Sequence, residues 1–171
     1  MTISQMAAWT ALAFFPAVMI FAALMDFMTM KIRNRLVIVV ALAYAVLAPL
    51  AGFGLEDMAL SLAIAAGVFL AGFVLFSMGW IGGGDAKLAA ATVLWLGPDH
   101  MLAYFLYTAL LGGVLTLAVL GFRGMKLPAR WRGVEWLARL HAPQSGVPYG
   151  AAMAPAALLV FPHTPWTAAI L

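Results

Sequence analysis

Two aspartates stand out because each lies beside a long apolar stretch in a chain that has few acids. The chain of 171 residues contains six Asp and Glu residues and is 66% hydrophobic. Asp26 closes the first apolar run, and Asp85 directly follows Gly82, Gly83 and Gly84. A carboxylate next to or within a lipid bilayer is costly, and such residues are usually functional. Asp26 and Asp85 are therefore the candidate catalytic residues.

Two carboxylates that lie close together can do acid and base chemistry as a pair. It is costly to ionise both carboxylates at the same time, so one carries a proton while the other takes a proton from water. This chemistry hydrolyses a peptide bond without a metal or a covalent intermediate. The chain has no cysteine, and its three histidines lie in separate connections without metal-ligand spacing. We therefore predict a two-aspartate mechanism with no metal and no cofactor.

The composition places this chemistry in a membrane. A mean hydropathy of +1.06 excludes a soluble globule with a polar shell. A transmembrane helix needs about 20 mostly apolar residues. The apolar runs cover approximately residues 7–25, 36–53, 58–78, 88–96, 101–122, and 147 towards the C-terminus. We expect an all-α polytopic membrane protein, a single domain over residues 1–171, with about six transmembrane helices.

The charges predict the orientation of these helices. With six spans, all nine Lys and Arg residues fall on one side, whereas Glu56, Asp57 and Asp99 fall on the other. Because Lys and Arg concentrate in cytoplasmic connections, we place the N-terminus outside and both candidate aspartates on the cytoplasmic side. In the long basic connection, residues 134–141 alternate apolar and charged side chains. They predict an amphipathic helix on the cytoplasmic surface.

The fourth apolar run is unusually short. At 1.5 Å per residue, residues 88–96 reach about 14 Å of a hydrocarbon core about 30 Å thick. A short helix that begins near Asp85 would place this residue below the membrane surface, with the preceding glycines in a loop buried in protein. The positive end of the helix dipole, at the helix start, favours an ionised Asp85. Asp26 is expected near a helix C-terminus, where the negative end of the dipole disfavours an ionised carboxylate.

Simpler interpretations of the same residues stay open. Asp26 can be a solvated residue at the end of a span, and Asp85 can be a helix N-cap after a plain glycine turn. Lys87 can be an ordinary anchor that extends its amine to the membrane surface. The glycine stretch lacks the G-x-x-x-x-G-K-[ST] spacing of a phosphate-binding loop, so nucleotide binding is disfavoured.

Three segments resemble the prepilin peptidases, which belong to the GxGD membrane aspartyl proteases. The segment from Gly82 to Lys87 is similar to the family's GxGD element. The family's first catalytic aspartate is followed by an Ile-Pro-Asn type turn, and Ile32-Arg33-Asn34 after Asp26 resembles it with Arg in the proline position. Pro148-Tyr149-Gly150 is similar to a proline-aromatic-glycine element that opens the family's last helix.

The resemblance implies a membrane aspartyl endopeptidase that removes the leader of type IV prepilins, after a glycine and before an apolar helix. It implies a multi-pass protein of the bacterial cytoplasmic (inner) membrane, with a prepilin and the lipid bilayer as partners and no nucleic acid. Larger members carry an N-terminal extension with paired cysteines and a methyltransferase activity. This chain has no cysteine and resembles the short form that serves Flp (Tad) pili.

The resemblance also assigns roles to individual residues. Asp26 and Asp85 are the implied catalytic pair. Family substrates carry a glutamate early in the mature apolar segment, and we expect it to pair with Lys87, Arg33 or Arg35. The predicted substrate-binding or site-shaping residues are Gly82, Gly83, Gly84, Lys87, Arg33, Asn34, Pro148, Tyr149 and Gly150.

Other functions fit a membrane protein with two acids. One is a non-catalytic assembly factor or a small transporter that uses the acid pair as a proton relay. A transporter more often shows repeat symmetry with its acids near mid-membrane, and the sequence contains no repeat. Another is a GxGD protease that cuts within transmembrane substrates, but Pro155-Ala156-Ala157-Leu158 only loosely resembles the proline-alanine-leucine element of such enzymes.

Overall fold

The chain forms helices that alternate in direction, because most connections between them are short. The computed structural model describes residues 1–128, 131, 133–168 and 170, and over these residues it contains helices and no strand. The helices are α1 (Ile3–Thr29), α2 (Asn34–Leu50), α3 (Leu55–Ser77), α4 (Gly83–Leu96), α5 (Pro98–Gly124), α6 (Glu135–His141), α7 (Gly150–Val160), a 3₁₀ turn (Phe161–His163) and α8 (Pro165–Ala168). The predicted all-α class is confirmed.

Three helices, α1, α3 and α5, are long and apolar enough to cross a membrane. Helix α2 and the segment Gly150–His163 are apolar but shorter. The exact number of six transmembrane helices therefore stays a prediction. Alternation of the helices places the C-termini of α1, α3 and α5 and the N-termini of α2, α4 and α7 at one end of the bundle. We name this end, which carries Asp26 and Asp85, the aspartate end.

Helix α4 is short and largely surrounded by protein. It has 14 residues, and every residue from Leu88 to Leu96 is buried. The packing is so close that a Cβ added at Gly72 of α3 would lie 2.8 Å from the Cβ of Ala86. A helix that is buried on all sides is apolar all round and does not have to present a face to lipid. The structure thus contains the short fourth helix, which begins at Gly83.

The C-terminal apolar segment folds back onto the far end of the bundle, which we name the tryptophan end. The predicted run from residue 147 is broken, because α7 ends at Val160 and Pro162 and Pro165 interrupt the chain beyond it. Trp166 then packs on Trp95 of α4, with ring centroids 4.8 Å apart. Its indole N–H also donates to the backbone oxygen of Trp95 at 2.9 Å.

Helix α6 ties α1 to the rest of the aspartate end. The ring of Trp136 lies 5.6 Å from that of Phe27, and Arg139 donates to the backbone oxygen of Met28 at 3.1 Å. Leu140 is buried on the inner side of the helix. A helix is therefore present where the alternating pattern predicted one, whereas its position on the membrane surface stays a prediction.

Candidate active site

Asp26 lies in the last turn of α1, and its carboxylate contacts the first turn of α7. The residue is only 4% exposed, and the Gly150 N–H donates to its Oδ2 at 2.8 Å. The backbone of Ala151 also interacts with this carboxylate. The first N–H groups of a helix have no partner within the helix and carry the positive end of its dipole. Asp26 thus lies near the negative end of its own helix, as expected, and also meets the positive end of α7, which the sequence did not reveal.

Asp85 lies in the first turn of α4 and turns back over the start of its own helix. Its Oδ2 is 2.7 Å from the point that a Cβ would occupy at Gly82, and its carboxylate interacts with the Gly82 backbone. Gly82 has an ordinary φ of −73°. Glycine is therefore required at position 82 because a side chain there would collide with the Asp85 carboxylate. The backbone conformation at this position does not require glycine.

Ile32 packs against the first turns of both α4 and α7, and it is a buried residue beside the site that is absent from the predicted site residues. It is 9% exposed although Lys31 and Arg33 flank it. Its Cβ would lie 3.1 Å from a Cβ at Gly84, and its Cδ1 would lie 3.0 Å from a Cβ at Gly150. A single apolar residue in a basic connection is the sequence signal that could have identified it.

One open cleft of about 1890 Å³ contains both aspartates. Six other predicted site residues also line this cleft, namely Gly82, Gly83, Gly84, Arg33, Asn34 and Tyr149. Because both residues line the same cleft, their carboxylates would repel each other if both were ionised. Asp26 is buried, whereas Asp85 is half-buried, so the pair lies at the boundary between the protein interior and the open cleft. The structure thus brings two acids 59 positions apart in the sequence into one site.

The remaining predicted site residues lie beside the cleft. Lys87 donates from Nζ to Oδ1 of Asn34 at 2.9 Å, which links the start of α4 to the start of α2. Pro148 leads into α7, and Gly150 reaches the site through its N–H bond to Asp26. Among the described residues, no group of three or more His, Cys, Asp or Glu could hold a metal ion.

Tyr149 and Arg123 position the start of α7, whose Gly150 N–H is bonded to Asp26. Tyr149 packs against α5 so closely that a Cβ at Gly112 would lie 2.6 Å from its Cε1. Arg123 of α5 donates to the backbone oxygens of Leu140, Ser145 and Gly146 at 2.9, 2.8 and 2.9 Å. In the sequence, Arg123 indicates only the orientation of the helices, and no local pattern reveals that it binds backbone oxygens 17 to 23 positions further along the chain.

Comparison with known proteins gives a family. A model described as the type IV leader peptidase family matches residues 13–117, a stretch that contains Asp26, the Ile32-Arg33-Asn34 turn and Asp85. No curated protein and no solved structure matches the chain. The family match covers more than half of the sequence and agrees with the resemblance found from three short segments. The chain belongs to the type IV leader peptidase family, which is a family of proteases.

Proposed function

We propose that this protein is an aspartic-type endopeptidase that removes the leader of Flp-type prepilins at the cytoplasmic face of the inner membrane. The observation that carries the proposal is the convergence of Asp26 and Asp85, from two distant helices, on one cleft. Family membership supports a prepilin as substrate. The three membrane-capable helices support a membrane location.

The distribution of charge supports the cytoplasmic side as the site of cleavage. Lys31, Arg33 and Lys87 lie at the aspartate end, as does Arg123 at the end of α5. Asp57 and Asp99 lie at the tryptophan end. Because basic residues concentrate on the cytoplasmic side of membrane proteins, the aspartate end is the end that would meet a leader before its translocation.

The proposed chemistry uses a shared proton and a water molecule. The ionised carboxylate removes a proton from water, and the water oxygen forms a bond to the carbon of the scissile carbonyl. The protonated partner donates its hydrogen bond to the carbonyl oxygen. Collapse of the tetrahedral intermediate then breaks the C–N bond, and a proton moves from the acid pair to the leaving amine. The first carboxylate thus takes a proton from water and passes it to the amine, while its protonated partner stabilises the developing oxyanion through a hydrogen bond.

The basic residues at the mouth of the cleft are the proposed partners of the substrate glutamate. Arg33 and Arg35 line the cleft, whereas Lys87 lies at its edge and is bonded to Asn34. Charge complementarity of this kind sets register more than affinity. We expect that Arg33→Glu or Arg35→Glu lowers processing and that Glu→Lys in the prepilin restores it with at least one of them.

Co-expression with an Flp-type prepilin tests the proposed mechanism. Asp26→Asn and Asp85→Asn keep the size of each side chain but remove its acid and base chemistry, so processing should fall by about a hundredfold or more. Asp99→Asn, an exposed acid at the tryptophan end, is the matched control and should process normally. The ratio of precursor to mature pilin on a gel is the readout. Full processing by both cleft variants would show that the two-acid mechanism is wrong.

A further inference from the structure

The cleft does not end at the two aspartates but continues as a groove along α3. The α3 residues that line it are Ile64, Gly67, Val68, Ala71, Gly72 and Leu75. They occupy positions i, i+3, i+4, i+7, i+8 and i+11, which lie on a single face of the helix. From Ile64 to Leu75 the groove runs about 17 Å at 1.5 Å per residue. Helix α3 thus presents one continuous stripe of apolar and small residues to the cavity.

Helix α5 forms the opposite wall of the same groove. Its lining residues extend from Met101 to Thr116, which is about 22 Å along the helix at 1.5 Å per residue. Ala86 and Ala89 of α4 form the floor. Helices α3 and α5 both pack on α4 but barely touch each other, so the groove is open on the side that faces away from α4. Its length corresponds to about three to four turns of an α-helix.

We propose that the apolar helix of the substrate docks in this groove between α3 and α5, so that the residues preceding that helix reach Asp26 and Asp85. This inference rests on the proposed function and adds the position of the substrate. Gly67 and Ala71, which are exposed, would let a helix backbone approach closely, as small residues do between membrane helices.

The polarity of the cavity favours this occupant over another. Its walls are apolar along α3 and α5, whereas its other end contains the two aspartates together with Arg33 and Arg35. A chain that is apolar along its helix and carries an acid where the helix begins would match both parts. The groove is also continuous with the proposed catalytic site, so one extended ligand can occupy both.

A bulky side chain at Gly67 tests the groove without disturbing the fold. A Cβ at Gly67 meets nothing within 4 Å, so the side chain of Gly67→Trp leaves the helix in open space at a position that lines the groove. Gly121 of α5 also has open space around it but does not line the cavity, so Gly121→Trp is the matched control. We expect processing of a full-length prepilin to fall about tenfold or more with Gly67→Trp, and less with Gly67→Ala. Gly121→Trp should stay within about twofold of wild type.

Cross-linking keeps the test independent of any loss of fold. The chain contains no cysteine, so Gly67→Cys introduces a single thiol. In an Asp85→Asn background, which preserves the precursor, a short bismaleimide should join Cys at this position to cysteines on one face of the prepilin helix. Gly121→Cys should give no such product.

The other occupants are outcomes of the same experiment. Cross-links between two copies of this chain, instead of to the prepilin, would assign the groove to self-association and overturn the proposal. If the thiol forms no cross-link to the prepilin or to a second copy of this chain, and Gly67→Trp processes the prepilin normally, then lipid occupies the groove. This result would also overturn the proposal. A wild-type protein that does not process the prepilin contradicts the proposed function itself, which distinguishes the two failures.

Discussion

The two ends of the bundle are built differently. At the tryptophan end, Trp95 and Trp166 are 1% and 0% exposed, and Phe15 stacks on Trp95 with centroids 5.1 Å apart. At the aspartate end, an open cleft separates the helices, and single hydrogen bonds such as Gly150 N–H to Asp26 connect them. Dense aromatic packing stabilises the fold, whereas the open end leaves room for a substrate chain. The fold is thus most densely packed at the end that is distant from Asp26 and Asp85.

This contrast predicts that substitutions at the two ends affect different quantities. Changes at the tryptophan end should lower the free energy of unfolding. Changes at the aspartate end should lower the rate of cleavage with a smaller effect on stability. Substitution of buried residues that have no role in binding or catalysis should mainly lower stability. Substitution of residues around the two acids should mainly lower the rate of cleavage.

The largest stability effect is expected from Trp95→Ala. The side chain is fully buried, and its indole N–H donates to the backbone oxygen of Val40 at 3.0 Å. Removal of a large buried aromatic residue costs about 3–5 kcal/mol, because it leaves a cavity. Thermal or denaturant unfolding in detergent measures the change.

Trp95→Phe is the milder variant for the same site. It retains an aromatic ring but removes the donor to Val40, so its cost should be about 1–3 kcal/mol. A Trp95→Ala protein that unfolds like wild type but fails to cleave would contradict the division of labour between the two ends.

Sequence reasoning recovered those features of the aspartate end that depend on charge and spacing. The positions of basic residues and apolar runs placed Asp26 and Asp85 at one end, and the short fourth run predicted a short helix, which α4 provides. The match to the leader peptidase family over residues 13–117 confirms the family resemblance, and it contains two of the three segments that carried it. The pairing of the two acids in catalysis stays a prediction.

The contacts that hold the site depend on tertiary packing and could not be predicted. The bond from Gly150 to Asp26 joins residues 124 positions apart, and nothing in the local sequence specifies which backbone N–H meets the carboxylate. The same holds for Ile32, whose burial depends on two glycines from other helices. At the tryptophan end, the sequence predicted a last apolar run, but the return of Trp166 to Trp95 depends on the fit of two indoles.

A large effect on the rate of cleavage, with little effect on stability, is expected from Gly82→Ala. A Cβ there would lie 2.7 Å from Oδ2 of Asp85. The carboxylate can rotate away at small cost to the fold, but it then leaves its position in the acid pair. A displacement of about 1 Å can lower the rate about a hundredfold. Gly121→Ala, where the added Cβ meets nothing within 4 Å, is the control and should cleave normally. Equal rates for the two variants would show that the position of Asp85 is not critical.

The smallest effect is expected from Lys87→Met, which separates a structural role of this lysine from a role in binding. The Lys87 bond to Asn34 is solvent-exposed, so its loss should change the free energy of unfolding by about 1 kcal/mol or less. If Lys87 only links α4 to α2, Asn34→Ala should lower processing as much as Lys87→Met does. If the amine also meets the substrate glutamate, Lys87→Met should raise KM more than Asn34→Ala, because only the lysine carries the charge. Titration of a purified prepilin against both variants distinguishes these roles, and unchanged KM in both would exclude Lys87 from substrate binding.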